Sequence, residues 1–108
     1  MAHDEDLADR IRDLLAAEPE LAEKRMFGGL AFLVEGKMAL AASGQGGIMV
    51  RVDRGQAAHL VATTQAEHMV MRDREMRGWL RVPVEHLRTR RQLSTWVARG
   101  LAAARAAT

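Results

Sequence analysis

The sequence contains no cysteine, only two prolines and only two lysines among its 108 residues. The absence of cysteine excludes disulfides, thiolate catalysis and cysteine zinc sites, and it is compatible with a reducing compartment. No apolar run approaches the roughly 18 residues of a membrane-spanning helix. The start MAHDEDLADR is acidic, whereas a secretory signal is basic and then apolar. We therefore expect a cytoplasmic protein with no membrane partner, folded as one domain over residues 1–108 without a metal or a disulfide.

Charge is distributed unevenly along the chain, although the net formal charge is only +2. Residues 1–23 carry eight acidic and two basic side chains, whereas residues 24–108 carry fourteen basic and six acidic ones. The asymmetry fits a basic surface for an acidic partner or nucleic acid, or an acidic helix on a basic neighbour within the fold. We favour the second interpretation: either Asp9 and Asp13 lie close enough to neutralise Arg90 and Arg91, or exposure and salt make the cost of these two cations at a helix start negligible.

Apolar periodicity and breaker residues predict helices at the N-terminus, in the middle and at the C-terminus. Asp4, Asp53 and Thr89 are the predicted helix N-caps, and Thr89 forms a capping box with Gln92. Short apolar runs between the helices predict about five to six strands, at KRMFGG, LAFLV, KMALAA, IMVRV, HMVMR and GWLRV. The expected fold is α+β, with an antiparallel sheet and packed helices in two layers.

The segment RMFGGLAFLVEGKMALAA has the glycines and the glycine-lysine pair of a phosphate-binding loop, but it does not match that motif. Ala31 occupies the first glycine position, Met38 replaces the hydroxyl residue, and a strand rather than a helix follows. We therefore interpret Gly28, Gly29 and Gly36 as structural glycines at turns and close backbone approaches. A ligand-binding loop is the less favoured alternative.

Glu35-Gly36 is predicted to be a two-residue hairpin turn in which Glu35 takes a positive φ. An uninterrupted register from this turn places apolar side chains on both faces of the sheet. Helices are expected to cover one face, and a helix or a second chain part of the other. We therefore predict a homodimer, and its candidate contact residues are Ala31, Leu33, Met38 and Leu40.

Four segments together resemble the N-terminal domain of the TfoX/Sxy family, named after bacterial regulators of natural competence: RMFGGLAFLVEGKM, GGIMVRV, REMRGWLRV and LSTWVARGLA. The resemblance spans nearly the whole chain from LADRIRDLL onward. It implies an α+β domain, a dimer and a regulatory role, without the additional C-terminal domain of the regulatory members. The family's usual Gly-Arg-Pro turn is replaced by Asp73, Arg74 and Glu75, and a helix start that is commonly acidic in relatives is replaced by Arg90 and Arg91.

The sequence shows no recognisable catalytic or metal-binding motif, so we expect neither an enzyme nor a cofactor. Ser43 and Ser94 lie outside any nucleophile motif. The spacing of His59, His68 and His86 matches no metal-ligand pattern. The predicted function is therefore a non-enzymatic regulatory or protein-interaction module with an unidentified protein partner.

The alternative function is a nucleic-acid-binding regulator that uses an arginine-rich surface. The candidate residues of this surface, which is equally the candidate surface for another partner, are Arg72, Arg74, Arg77, Arg81, Arg88, Arg90 and Arg91. Nucleic acid is not favoured, because the four aromatic residues form no exposed stacking series and no helix-turn-helix pattern is evident.

Overall fold

The structure, a computed structural model, describes residues 4–26, 28–71 and 73–107. Within these ranges the chain forms three α-helices, six strands and one short 3-10 helix. In chain order they are α1 (Glu5–Leu14), β1 (Leu21–Met26), β2 (Gly29–Val34), β3 (Lys37–Ala42), β4 (Ile48–Arg51), α2 (Arg54–Thr63), β5 (Glu67–Met71), β6 (Arg74–Val82), the 3-10 helix (Val84–His86) and α3 (Arg90–Ala106). The α+β prediction is confirmed, with helices at the N-terminus, in the middle and at the C-terminus.

The six strands form one antiparallel sheet in the order β1-β2-β3-β4-β6-β5. The first four strands pair with their sequence neighbours, and α2 then carries the chain to the far edge. Strand β4 pairs only with Trp79–Val82 of β6, whereas β5 pairs with β6 from Arg74 onward. The β5–β6 hairpin therefore projects beyond the point where β4 ends.

All three helices pack on the same face of the sheet. Helix α3 lies across β2, β3 and β4, α2 lies on β5 and β6, and α1 packs against α3. The apolar side chains of the helices and of this sheet face form one buried core, whose largest fully buried members include Leu7, Ile11, Phe32, Leu40, Ile48, Leu80 and Leu93. Trp96 anchors α3 in the same core.

Helix caps follow the sequence prediction at α1 and α3 but not at α2. The Asp4 carboxylate accepts hydrogen bonds from two backbone N–H groups of the first turn of α1. At α3, Thr89 and Gln92 form the complete capping box. Asp53 occupies the N-cap position of α2, but its side chain makes no capping hydrogen bond. Asp53 therefore occupies the predicted N-cap position, but the predicted capping hydrogen bond is not formed.

Ion pairs join the acidic N-terminal part of the chain to its surroundings. Arg12 contacts Asp9 within α1 and Glu23 on β1. Hydrogen bonding to Glu23 raises the pKa of Arg12 above its ordinary value. In the last turn of α3, Arg105 pairs with Glu18, which follows α1. The acidic segment therefore forms ion pairs within the fold.

The β2–β3 hairpin contains a bulge that the sequence pattern did not predict. The two pairs next to the turn form in the predicted register, but Phe32 then pairs with Leu40, so that Ala39 is the extra residue. The predicted register, which pairs Phe32 with Ala39 and Ala31 with Leu40, is therefore wrong from Ala39 onward. The shift places Leu40 with Phe32 on the helix-covered face and puts Ala41 opposite Ala31 on the other face. Leu40 thus does not share a face with the other three candidate dimer residues.

The glycines of the segment RMFGGLAFLVEGKMALAA occupy positions where a side chain is hard to place. In the hairpin turn, φ is +53° at Glu35 and +82° at Gly36. Gly28 also has a positive φ, of +73°. A Cβ atom on Gly29 would lie 2.2 Å from the carbonyl oxygen of Ala42, which no side chain tolerates. Backbone geometry accounts for glycine at all three positions.

Candidate interaction face and arginine cleft

One face of the sheet carries no helix within the described residues. The side chains at the centre of this face are buried, and half-buried apolar side chains pack around them. We call this surface the open face and define it by Ala31, Ala41, Met49 and Met69 at the centre and Met26, Leu33, Met38 and Trp79 around them. Four methionines and an indole give it a polarizable apolar surface.

Two arginines lie among these apolar side chains. The Arg51 guanidinium carbon is 4.9 Å from the centroid of the Trp79 ring, and its Nε donates a 2.7 Å hydrogen bond to the carbonyl oxygen of Met38. Arg81 lies directly opposite Met49. Its Nε is buried and has no hydrogen-bond partner in the described part of the chain. Methionine, tryptophan and arginine are the residue types enriched in protein interfaces.

The candidate dimer residues divide between the two faces. Ala31, Leu33 and Met38 lie together on the open face. Leu40 lies in the helix-covered core, because of the bulge at Ala39. The side chain on the open face next to Ala31 is instead that of Ala41.

A second feature is a cleft of about 920 Å³ at the end of β4. Its walls are α2, the C-terminal half of α3 and the part of β6 that projects beyond β4. We call it the arginine cleft, because four arginines from four different elements line it: Arg51, Arg54, Arg77 and Arg99. His59 also lines it, and Asp53 is the single acid among the described lining residues. The lining thus carries an excess of positive charge.

Three of the four arginines, Arg51, Arg54 and Arg99, are held by packing rather than by carboxylates. Arg99 stacks on Trp96, with 4.5 Å between its guanidinium carbon and the ring centroid. The stem of Arg54 lies against Gly78, where a Cβ would come within 3.2 Å of Arg54 Cγ. None of the four forms an ion pair among the described residues. Their charges therefore remain available to a ligand.

The arginines selected from the sequence lie on several parts of the molecule rather than on one surface. Arg77 lines the arginine cleft, and Arg74 lies in an adjoining depression with Arg54. Arg81 belongs to the open face. The remaining described candidates, which precede or begin α3, are exposed: Arg88, Arg90 and Arg91. Arg72 lies outside the described residues.

The expected neutralisation of Arg90 and Arg91 by Asp9 and Asp13 is not seen as an ion pair among the described residues. Asp9 pairs with Arg12 instead. Helix α1 approaches the start of α3 through a basic residue, since Arg10 donates to the carbonyl oxygens of residues 87–89. The first turn of α3 contains no acidic side chain.

Sequence reasoning missed Arg51, Arg54 and Arg99. They are separated by up to 48 positions in the sequence, and only the pairing of β4 with β6 and the path of α3 bring them together. The sequence does contain one signal for the cleft, the segment MRGW, because it contributes three consecutive lining residues, Arg77 to Trp79.

Within the described ranges the chain has neither a metal-binding cluster nor a helix that could span a membrane. No group of three or more histidine and acidic side chains there is arranged to hold a metal ion. His68 approaches Glu75 at 3.8 Å, whereas His59 lines the cleft. None of the described helices combines the length and the apolar character that crossing a membrane requires.

A six-stranded antiparallel sheet with all three helices on one face defines an α+β domain with one open sheet face. The sequence matches the family model of the TfoX N-terminal domain over residues 13–104, which is most of the chain. The protein therefore belongs to the TfoX N-terminal domain family. Comparisons with curated proteins and with solved structures give no match.

Proposed function

We propose that this protein is a non-enzymatic regulatory module of the cytoplasm that acts through the open face, and that a second copy of the chain binds there. The observation that carries the proposal is the placement of all three helices on the opposite face. This leaves Met26, Leu33, Met38 and Trp79 half-buried on a sheet of six strands. Family membership supports a regulatory role.

The dimensions of the sheet fit a dimer interface. Six strands spaced about 4.8 Å apart, with an average length of about 20 Å, give a face of about 24 by 20 Å. Side-chain relief increases the accessible area of such a face. A stable dimer buries about 600 Å² or more from each partner. The projected area of about 480 Å² is close to this threshold, so a stable dimer needs contact over essentially the whole open face.

Charges at the two edges of the open face support self-association. Lys24 lies opposite Ala31 on β1, and Glu67 lies opposite Arg81 on β5, so both are on this face at opposite edges of the sheet. A two-fold axis parallel to the strands places β1 of one copy over β5 of the other. Lys24 of each copy then lies opposite Glu67 of the other copy, so that one such pair forms at each edge of the interface.

The test compares Met38→Glu on the open face with Val84→Glu as the matched control. Val84 is 41% exposed on the 3-10 helix and lies outside the open face. By light scattering on a sizing column, the wild type and Val84→Glu are expected to be dimers and Met38→Glu a monomer. Urea unfolding checks that both variants fold. A Met38→Glu dimer as stable as the wild type would contradict the proposal.

A further inference from the structure

We propose that the arginine cleft is a binding site for an organic phosphate with an apolar ring, a nucleotide being the simplest example. The proposal goes beyond the self-association of the open face. The cleft adjoins that face, because Trp79 and the Arg51 that packs on it also line the cleft. The proposal rests on a cavity, on unpaired guanidinium groups and on an apolar wall, all described above.

The charge of the cleft fits a ligand with more than one negative group. Four guanidinium groups line it, against the single carboxylate of Asp53 among the described residues. Arginine donates its N–H groups in a planar fork that matches phosphate oxygens. The four groups come from β4, α2, β6 and α3, so they surround the cavity instead of forming a stripe on one helix.

Packing restricts the conformations of the arginine side chains before a ligand binds. Arg51 and Arg99 are half-buried and lie on indole rings, and Gly78 leaves room for the stem of Arg54. Side chains fixed in this way lose less conformational entropy when a ligand binds. Three guanidinium groups are thus oriented by the protein, and the exposed Arg77 completes the set.

The rest of the lining indicates a ligand that is not purely ionic. Val52 and Leu60 contribute apolar surface from the buried core, Trp79 contributes an indole, and the last turns of α3 contribute only small side chains, Ala102, Ala103 and Ala106. The volume of about 920 Å³ falls within the usual range of small-molecule sites, about 300–1,000 Å³. A phosphate chain on the arginines and a ring on this wall use both parts of the lining.

The experiment is isothermal titration of the full chain with ATP, without added divalent cations. The test variant is Arg54→Ala with Arg77→Ala, two exposed residues of the cleft. The control is Arg90→Ala with Arg91→Ala, which removes the same charge from the start of α3. We expect wild-type binding with a Kd below about 100 µM, weakened about tenfold or more by the test pair and less than about twofold by the control pair.

Two further titrants define the ligand class. Inorganic triphosphate is expected to bind at least about fivefold more weakly than ATP, because it lacks the ring. A single-stranded oligonucleotide of about twelve residues is expected to bind no more tightly than ATP, because the cleft encloses one small ligand. Circular dichroism and the urea midpoint verify the fold of both double variants.

Any one of the following results overturns the proposal. The first is the absence of ATP binding at about 1 mM, and the second is equal weakening by the test and control pairs, which shows attraction by net charge alone. The third is triphosphate binding as tight as that of ATP, or oligonucleotide binding about tenfold tighter with the same arginine dependence, which assigns the cleft to phosphate alone or to nucleic acid. None of these results bears on the dimer mass, so failure of this proposal is distinguishable from failure of the open-face proposal.

Discussion

At the residue scale, Gly28 and Gly29 are adjacent glycines with different physical constraints. Gly28 has a positive φ and open space around its missing side chain, whereas Gly29 lies against the backbone of Ala42. We expect Gly28→Ala to lower the free energy of unfolding by about 1 kcal/mol, the cost of a left-handed residue. Gly29→Ala is expected to cost about 3 kcal/mol, because backbone must move. Urea denaturation measures both, and equal costs would contradict the geometry.

The hairpin turn offers a stabilising substitution. Glu35 has a φ of +53°, a conformation that asparagine adopts with less strain than glutamate. We expect Glu35→Asn to raise the free energy of unfolding by about 0.5 kcal/mol, part of the cost of the left-handed region. Thermal and urea unfolding measure the change. Because Glu35 is exposed, a loss of stability would show that its side chain makes an interaction the structure does not contain.

At the element scale, the start of α3 combines a strong cap with unfavourable charge. The capping box satisfies backbone donors, but Arg90 and Arg91 place two cations at the positive end of the helix dipole. Replacing both with glutamate is expected to stabilise the protein by about 1 kcal/mol at low salt, and by less as salt screens the charges. Urea unfolding at two salt concentrations measures this. A net loss of stability would mean that one arginine has a structural partner.

The elements differ in how far their sequence predicts them. The α1 and α3 caps and the β2–β3 turn depend on residues within four positions of each other, so their sequence signals are local. The bulge at Ala39 has no local sequence signal, because alanine and leucine occur on either face of a sheet and nothing in KMALAA marks an extra residue. The arginine cleft depends on β6 lying between β4 and β5, a topology that no short pattern specifies. The missing Asp53 cap likewise depends on the orientation of a side chain.

At the scale of the whole molecule, the edge charges predict the orientation of the dimer. If the two-fold axis runs parallel to the strands, Lys24→Glu places like charges at both edges of the interface and weakens the dimer by about fivefold. Adding Glu67→Lys to the same chain restores opposite charges and restores most of the affinity. Sedimentation equilibrium of the two single variants and the double variant measures the coupling. Additive weakening in the double variant would contradict this axis.

The central claim is that a second copy of the chain covers the open face, and the molar mass of the wild-type protein in solution tests it most directly. Light scattering is measured at about 5 and about 50 µM, concentrations at which a dimer with a micromolar Kd is populated. The account predicts a mass of twice the 11.9 kDa of one chain at the higher concentration. A mass of 11.9 kDa that does not change over the tenfold range of concentration would contradict it.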